Sequence, residues 1–135
     1  MKAITIKQPF ASLIAAGLKE YEFRTWKTGY SGEVLIHAGK SVDQEAMARF
    51  ADDDLEYPLG CVIARAVLTD CVRVDEAMRH MLREKDRRVY AGITEAPEWT
   101  GYGFKLERVE PIPTVYISGK LGLWEYGEEL PSVHR

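Results

Sequence analysis

Residues 17–26 read GLKEYEFRTW and combine four charged with three aromatic side chains in ten positions. In a β-strand, successive side chains point to opposite faces. Tyr21 and Phe23 would therefore share the core face, whereas Glu22, Arg24 and Trp26 would share the other. Because an unpaired charge is costly in a core, this second face is expected either to be solvated or to line a polar cleft.

The spacing alone leaves two interpretations of this polar face. The simpler one is a solvated Glu22–Arg24 pair worth less than about 1 kcal/mol, and it is favoured because polar outer strand faces are common. In the other, the planar donors of Arg24 suit a phosphate or a base edge, and Trp26 offers a face on which a base stacks. A Glu22 carboxylate near Lys19, at the corner before the strand, would accept from an amine or act as a general acid or base.

The rest of the chain predicts a small curled sheet or barrel with helices packed at its mouth. Pro9 lies in the first turn of a short apolar helix that Gly17 ends in the left-handed conformation, and Asp75 caps a later helix. The apolar run at 61–68 indicates a strand buried on both faces. The other predicted strands are 2–6, 33–38, 102–109, 113–117 and 120–124, and another helix is predicted over 43–50.

The composition fits one globular domain of 135 residues, with 46% hydrophobic and 29% charged residues. The first residues read as a strand and not as a signal peptide, so a cytoplasmic location with Cys61 and Cys71 reduced is expected. A net charge of −3 argues against a surface coated with cations for long duplexes. However, residues 1–40 carry six basic against three acidic groups, and residues 79–88 carry five against two. A small basic cleft on an acidic body fits these numbers.

Motifs for metal or cofactor binding are absent from the sequence, which has no HxxxH, CxxC, phosphate-loop or dinucleotide fingerprint. Neither a metal nor a cofactor is therefore predicted. His37 lies on a predicted strand, where a satisfied core histidine is favoured over a contact to a base, and Trp99 lies in a loop-like setting that favours ligand contact. Arg79, Arg83 and Arg87 are spaced by four and would share one helix face. They would either follow a phosphate backbone or, as is favoured, pair with Glu76 and other acidic groups.

The quoted stretch is part of a longer pattern. The segment IKQPFASLI at 6–14 precedes a complete GxKxxExR motif, formed by Gly17, Lys19, Glu22 and Arg24. With the later segments VLIHA (34–38), WTGYGF (99–104) and GKLGLW (119–124), this pattern resembles the ASCH domain, a branch of the PUA-like superfamily. The resemblance spans nearly the whole chain and is to the single-domain bacterial or phage type.

The resemblance implies an α+β, mainly β fold: a PUA-like β-barrel of five or six strands with two or three helices beside a cleft. The domain is expected over residues 1–127, with a C-terminal tail over 128–135. The implied function is binding of single-stranded RNA or a modified nucleoside, with a protein partner possible and no membrane. The expected ligand-binding residues are Lys7, Gln8, Lys19, Glu22, Arg24, Trp26, His37 and Trp99.

Relatives that resemble this domain also suggest a metal-independent hydrolase, acting on RNA or on acetylated cytidine. Lys19 and Glu22 would then be the catalytic acid/base pair. The amidohydrolase branch has a nucleophilic Thr three residues after its Lys, where this chain has Glu22. Because a carboxylate does not replace an activated hydroxyl in acyl transfer, binding is favoured over catalysis. A protein-interaction domain that takes an acidic peptide is the third alternative.

Overall fold

The computed structural model of the chain describes residues 1–128 and 130. The described residues form six strands, which are β1 (Lys2–Gln8), β2 (Tyr21–Arg24), β3 (Gly32–Val42), β4 (Cys61–Arg73), β5 (Tyr102–Tyr116) and β6 (Leu123–Glu125). They also form four helices, which are α1 (Phe10–Ala15), α2 (Gln44–Arg49), α3 (Glu76–Lys85) and α4 (Ala91–Thr94). Most of the expected tail over 128–135 lies outside the described residues, so the domain boundary at 127 stays a prediction.

The strands form one mixed sheet in the order β2-β5-β4-β3-β1-β6. β1 and β3 are parallel, and the other neighbouring pairs are antiparallel. The predicted α+β, mainly β class is therefore confirmed, with six strands. Within the described residues the sheet is not closed, because β2 and β6 remain its two edges, and the helices number four instead of two or three.

The sheet curls strongly even though it does not close. β1 and β2 are four positions apart in the strand order, which in a flat sheet would separate them by about 19 Å at about 4.8 Å per strand. Nevertheless Arg24 on β2 donates through Nη2 to the backbone oxygen of Thr5 on β1, at 2.7 Å. One side chain thus spans the open side of the barrel, and the cleft described below lies at this opening.

The core lies on both faces of the central strands. On β4, Ile63 packs into a cluster with Ile4 and Phe104, whereas the neighbouring Val62 packs with Trp124 on the other face. This arrangement confirms the double burial that the apolar run of β4 predicts. Another cluster joins α1 and β2 to α3, the helix that covers the β2 end of the sheet.

Most local signals act as the sequence predicts. Gly17 ends α1 with φ +78°, and the Asp75 carboxylate caps α3 by accepting from Met78 N at 2.9 Å. One expectation was wrong, and one element was missed. The strands expected at 102–109 and 113–117 are one strand, β5, with a positive φ of 52° at Arg108, and the four-residue α4 was not predicted. Pro9 precedes α1 at its N-cap and follows a cis peptide bond.

Both cysteines, Cys61 and Cys71, carry free thiols, and burial raises the pKa of Cys61. None of the helices in the described part of the chain has the length and apolarity needed to span a membrane. The cytoplasmic location stays a prediction.

Candidate functional site

A cleft of about 480 Å³ lies at the opening of the curled sheet and is named the motif cleft here, because Lys19, Glu22 and Arg24 line it. Thr5 and Lys7 of β1 and several residues of the segment 89–99 also line it. Its described lining carries three cations and two carboxylates, a net charge of +1. The cleft therefore favours an anionic or electron-rich ligand.

The three charged motif residues form one network with the carboxylate at its centre. Glu22 Oε1 accepts from Lys19 Nζ at 3.0 Å, and Glu22 Oε2 accepts from Arg24 Nη2 at 2.9 Å. Only 3% of the Lys19 side chain, 10% of Glu22 and 20% of Arg24 is exposed. The interpretation of Glu22 and Arg24 as a solvated surface pair was therefore wrong. The polar strand face is buried because charge is paired there with charge.

Lys19 is held by more than its carboxylate partner. The ammonium group also donates to the backbone oxygen of Tyr21 and lies over two aromatic rings, 5.1 Å from the centroid of Phe10 and 5.0 Å from that of Phe23. Both rings offer their negative faces to the cation. These contacts make Lys19 a fixed part of the cleft wall.

Burial and pairing shift the pKa values of two network members. Burial lowers the pKa of Lys19, and the attraction of Glu22 offsets only part of that effect. Burial by itself would raise the pKa of Glu22, but the charges and hydrogen bonds of Lys19 and Arg24 outweigh it and hold the pKa of this carboxyl below its ordinary value. Glu22 is therefore a carboxylate at neutral pH, able to orient both cations.

Arg24 is the network member with donors to spare. Its hydrogen bonds to Glu22 and Thr5 both use Nη2, and no residue in the described ranges accepts from its Nε or Nη1. Because the guanidinium is clamped on one side, its remaining N–H groups are fixed in a plane. This geometry suits an acceptor pair on a phosphate or a base.

A cluster of three aromatic rings forms the apolar part of the motif cleft. The Phe23 ring meets the Tyr90 and Trp99 rings edge to face, with centroids 6.0 and 6.4 Å apart. Tyr90 Oη accepts from Glu20 N at 2.8 Å, and burial raises the pKa of Tyr90 to about 12, so its phenol is neutral. These rings offer stacking surfaces beside the Arg24 donors.

Trp99 is positioned by two residues outside the cleft. Arg79 of α3, which is buried, donates through Nη2 to the backbone oxygen of Trp99. A β-carbon at Gly101 would lie 2.5 Å from the Trp99 ring and 2.5 Å from the backbone oxygen of Arg24, so only glycine fits there. Gly101 therefore lets the Trp99 ring lie directly against β2.

The family model of the ASCH domain matches residues 4–113. This chain belongs to the ASCH domain family. The fold also matches the crystal structure of the ASCH protein from Zymomonas mobilis, with a TM-score of 0.54 and 19% identity over 85% of this chain and 72% of that one. A single-residue variant of the same protein matches with a TM-score of 0.55 and 18% identity, over 85% of this chain and 74% of that one. At these identities the likeness concerns the fold alone, and no curated protein sequence matches the chain.

Five of the eight residues predicted from the ASCH sequence line the motif cleft: Lys7, Lys19, Glu22, Arg24 and Trp99. Gln8 and Trp26 lie outside it. Gln8 is fully buried and bonds both Ser12 and the backbone oxygen of Pro58, so it fixes the start of α1. Trp26 packs edge to face on Phe104, with centroids 5.1 Å apart.

His37 lies beside another cavity of this ASCH domain, named the Lys40 cavity after one of its two lysines. Its Nε2 donates to the backbone oxygen of Ile117 at 2.7 Å, and the residue is buried as the favoured interpretation expects. The ring is only half satisfied, because Nδ1 has no partner among the described residues. Thr5 lines both this cavity and the motif cleft.

Sequence reasoning missed Phe10, Phe23, Tyr90 and Arg79 as contributors to the site. Phe23 was assigned to the core by strand alternation, although part of its ring also lines the cleft. Arg79 was placed on a charged helix face because it lies four residues before Arg83 and eight before Arg87. The structure buries Arg79, which overturns its placement on an exposed face, whereas the favoured pairing with Glu76 holds for Arg83 at 3.2 Å. Arg87 lies beyond the end of α3.

Proposed function

We propose that the motif cleft of this ASCH domain binds single-stranded RNA or a modified nucleoside, with one unstacked base inside the cleft. The observation that carries the proposal is the pairing of free, oriented Arg24 donors with the Trp99 ring in one cavity. An RNA base presents an aromatic face and a hydrogen-bonding edge at right angles to each other, and this cavity offers a partner for each.

Each part of the cleft then has a role in the bound complex. Trp99 stacks on the base, and Arg24 donates from Nε and Nη1 to acceptors on the base edge or a phosphate. Lys7 is exposed at the rim, where it would meet the phosphate backbone. Glu22 binds no ligand atom in this scheme. It keeps Arg24 and Lys19 in place before the ligand arrives, which lowers the entropy cost of binding.

The volume and charge of the cleft support the same ligand class. About 480 Å³ falls in the range of cavities that hold small organic molecules. The net charge of +1 on the lining favours an anionic nucleotide over a cationic ligand, and it explains how an acidic chain can bind RNA locally.

The test is a titration of a fluorescein-labelled, mixed-sequence RNA hexamer and of the four ribonucleosides at low salt. Trp99→Ala is expected to weaken hexamer binding about tenfold, because stacking one base contributes about 1–3 kcal/mol. Trp26→Ala is the matched control, since Trp26 lies outside the motif cleft. Equal losses in both variants, or no binding of any probe by the unmodified chain, would refute the proposal.

A hydrolase of RNA or of an acylated nucleoside is the second candidate. The lowered pKa of Lys19 favours it, because a buried lysine beside a carboxylate in a cleft is a typical acid/base pair. Turnover of labelled RNA or of acetylated cytidine that disappears in Lys19→Met, at unchanged melting temperature, would support catalysis. Intact probes after long incubation with the unmodified chain would leave binding as the function.

A further inference from the structure

The Lys40 cavity has a volume of about 380 Å³ and lies on the other side of Thr5 from the motif cleft. The backbone oxygen of Thr5 accepts from Arg24, while its Oγ1 accepts from Trp124 Nε1 at 3.0 Å. A ligand that fills the motif cleft and continues past Thr5 would therefore enter the Lys40 cavity next.

The charge of the Lys40 cavity is entirely positive among its described lining residues. Lys40 and Lys120 line it, and no carboxylate does. Neither lysine forms an ion pair with any residue in the ranges 1–128 and 130, in contrast to Lys2, Lys85 and Lys105. Two unpaired ammonium groups at one concave surface form a site for an anion.

The unpaired lysines of the described chain are concentrated at the two cavities. Four lysines have no carboxylate partner among the described residues, and three of them line one of these cavities: Lys7, Lys40 and Lys120, with Lys27 as the fourth. Unpaired lysine charge is thus concentrated along a track that runs from the motif cleft to the Lys40 cavity.

Backbone lies close to the surface of the Lys40 cavity because three of its lining residues are glycines. A β-carbon at Gly119 would lie 2.4 Å from Thr5 Oγ1, and one at Gly39 would lie 2.9 Å from Thr5 Cγ2. Gly60 has a φ of +71°, which disfavours a side chain there. Glycine at 39 and 119 therefore lets these two segments pack directly against the Thr5 side chain.

We propose that the Lys40 cavity binds a backbone phosphate of the RNA strand whose neighbouring base lies in the motif cleft. Lys40 and Lys120 neutralise the phosphate, and the Ser118 hydroxyl, which also lines the cavity, donates to it. The proposal rests on the proposed function, and it adds that the domain binds a strand of at least two nucleotides in preference to a free nucleoside.

The test compares the RNA hexamer with the best-binding ribonucleoside in the double variant Lys40→Gln/Lys120→Gln. Hexamer binding is expected to weaken about tenfold, and the slope of log K against log salt is expected to fall by about 0.7 for each phosphate that is no longer neutralised. Nucleoside affinity is expected to stay unchanged, because the motif cleft is intact. The control is Lys27→Gln/Lys85→Gln, which removes the same charge outside both cavities.

The outcomes separate this proposal from the proposed function. A double variant that retains the hexamer affinity and salt slope of the unmodified chain overturns the phosphate site only. Failure of the unmodified chain to bind hexamer or nucleosides overturns both proposals. A titration with inorganic phosphate, followed through the amide signals of residues 118–121, identifies the source of the anion. Signals that move with inorganic phosphate but not with the hexamer assign the cavity to a free anion and overturn the proposal.

Discussion

The motif cleft and the Lys40 cavity both carry positive charge, but they hold it in different ways. In the motif cleft, Lys19 is buried, Arg24 is largely covered, and both share the carboxylate of Glu22. In the Lys40 cavity, Lys40 and Lys120 are exposed and have no carboxylate partner within the described residues. A paired, buried cation is rigid and suits recognition of one geometry, whereas an unpaired, solvated lysine suits a phosphate whose position varies. Under the proposed function, the motif cleft would therefore recognise the base and the Lys40 cavity would attract the backbone.

The largest effect is expected when the carboxylate of the motif cleft is removed. Glu22→Gln keeps the shape but leaves the buried ammonium of Lys19 and the largely covered guanidinium of Arg24 without a counter-charge. This loss is expected to lower the free energy of unfolding by about 3–5 kcal/mol. Urea denaturation measures the loss. Glu33→Gln, which breaks the more exposed pair with Arg65, is the control and should cost less than about 1 kcal/mol. Similar small losses in both would mean that the motif network is no more than a surface pair.

The same carboxylate is expected to make stability depend on acid pH. The folded state lowers the pKa of Glu22 below its ordinary value of 4.5, so the carboxylate stabilises the fold above that value. This contribution is lost as the pH falls through the lower, folded-state pKa. Urea denaturation from pH 7 to pH 3 should therefore show the difference between the unmodified chain and Glu22→Gln shrinking in acid. A difference that is constant over this range would contradict the shift.

A smaller effect is expected from the glycine that positions Trp99. Gly101→Ala places a β-carbon against the Trp99 ring and the backbone of β2, and overpacking of this kind costs about 1–3 kcal/mol. Because the ring must move, hexamer binding should also weaken about tenfold. Gly29→Ala is the control, because Gly29 lines neither cavity and a β-carbon there has no neighbour within 4 Å among the described residues. If the Gly101 variant binds RNA normally, Trp99 is not a stacking residue.

The smallest effect is expected at the rim of the motif cleft. Lys7→Gln should reduce the salt slope of hexamer binding by about 0.7, the value for one neutralised phosphate on a single strand. Protein stability should not change, because Lys7 is exposed. Lys27→Gln removes the same charge outside both cavities and should leave the slope unchanged. The slope is obtained from the dissociation constant at several salt concentrations. A slope in Lys7→Gln equal to that of the unmodified chain would show that Lys7 contacts no phosphate.

Much of the site could be predicted from the sequence because the decisive contacts are short-range. Lys19 and Glu22 are three residues apart, and Glu22 and Arg24 are two apart on one strand face. Alternation therefore places Glu22 beside Arg24 wherever the strand lies, and Lys19 reaches the same carboxylate from the corner just before β2. Trp26 follows the same alternation, yet it packs on Phe104 instead of lining the cleft, because it lies past the end of β2. Alternation predicts the side of a strand, but not what lies opposite it.

The family, the mainly β class, the helix caps and the spacing of the charged motif were determined by the sequence itself, since each can be recognised from short segments of the chain. The tertiary structure decided whether the polar face of β2 was solvated or buried. That outcome depends on Thr5, 19 residues before Arg24 on another strand, and on the segment 89–99, which supplies Tyr90 and Trp99. The curl of the sheet brings these distant segments together. Curl depends on the packing of all six described strands and cannot be read from any one of them.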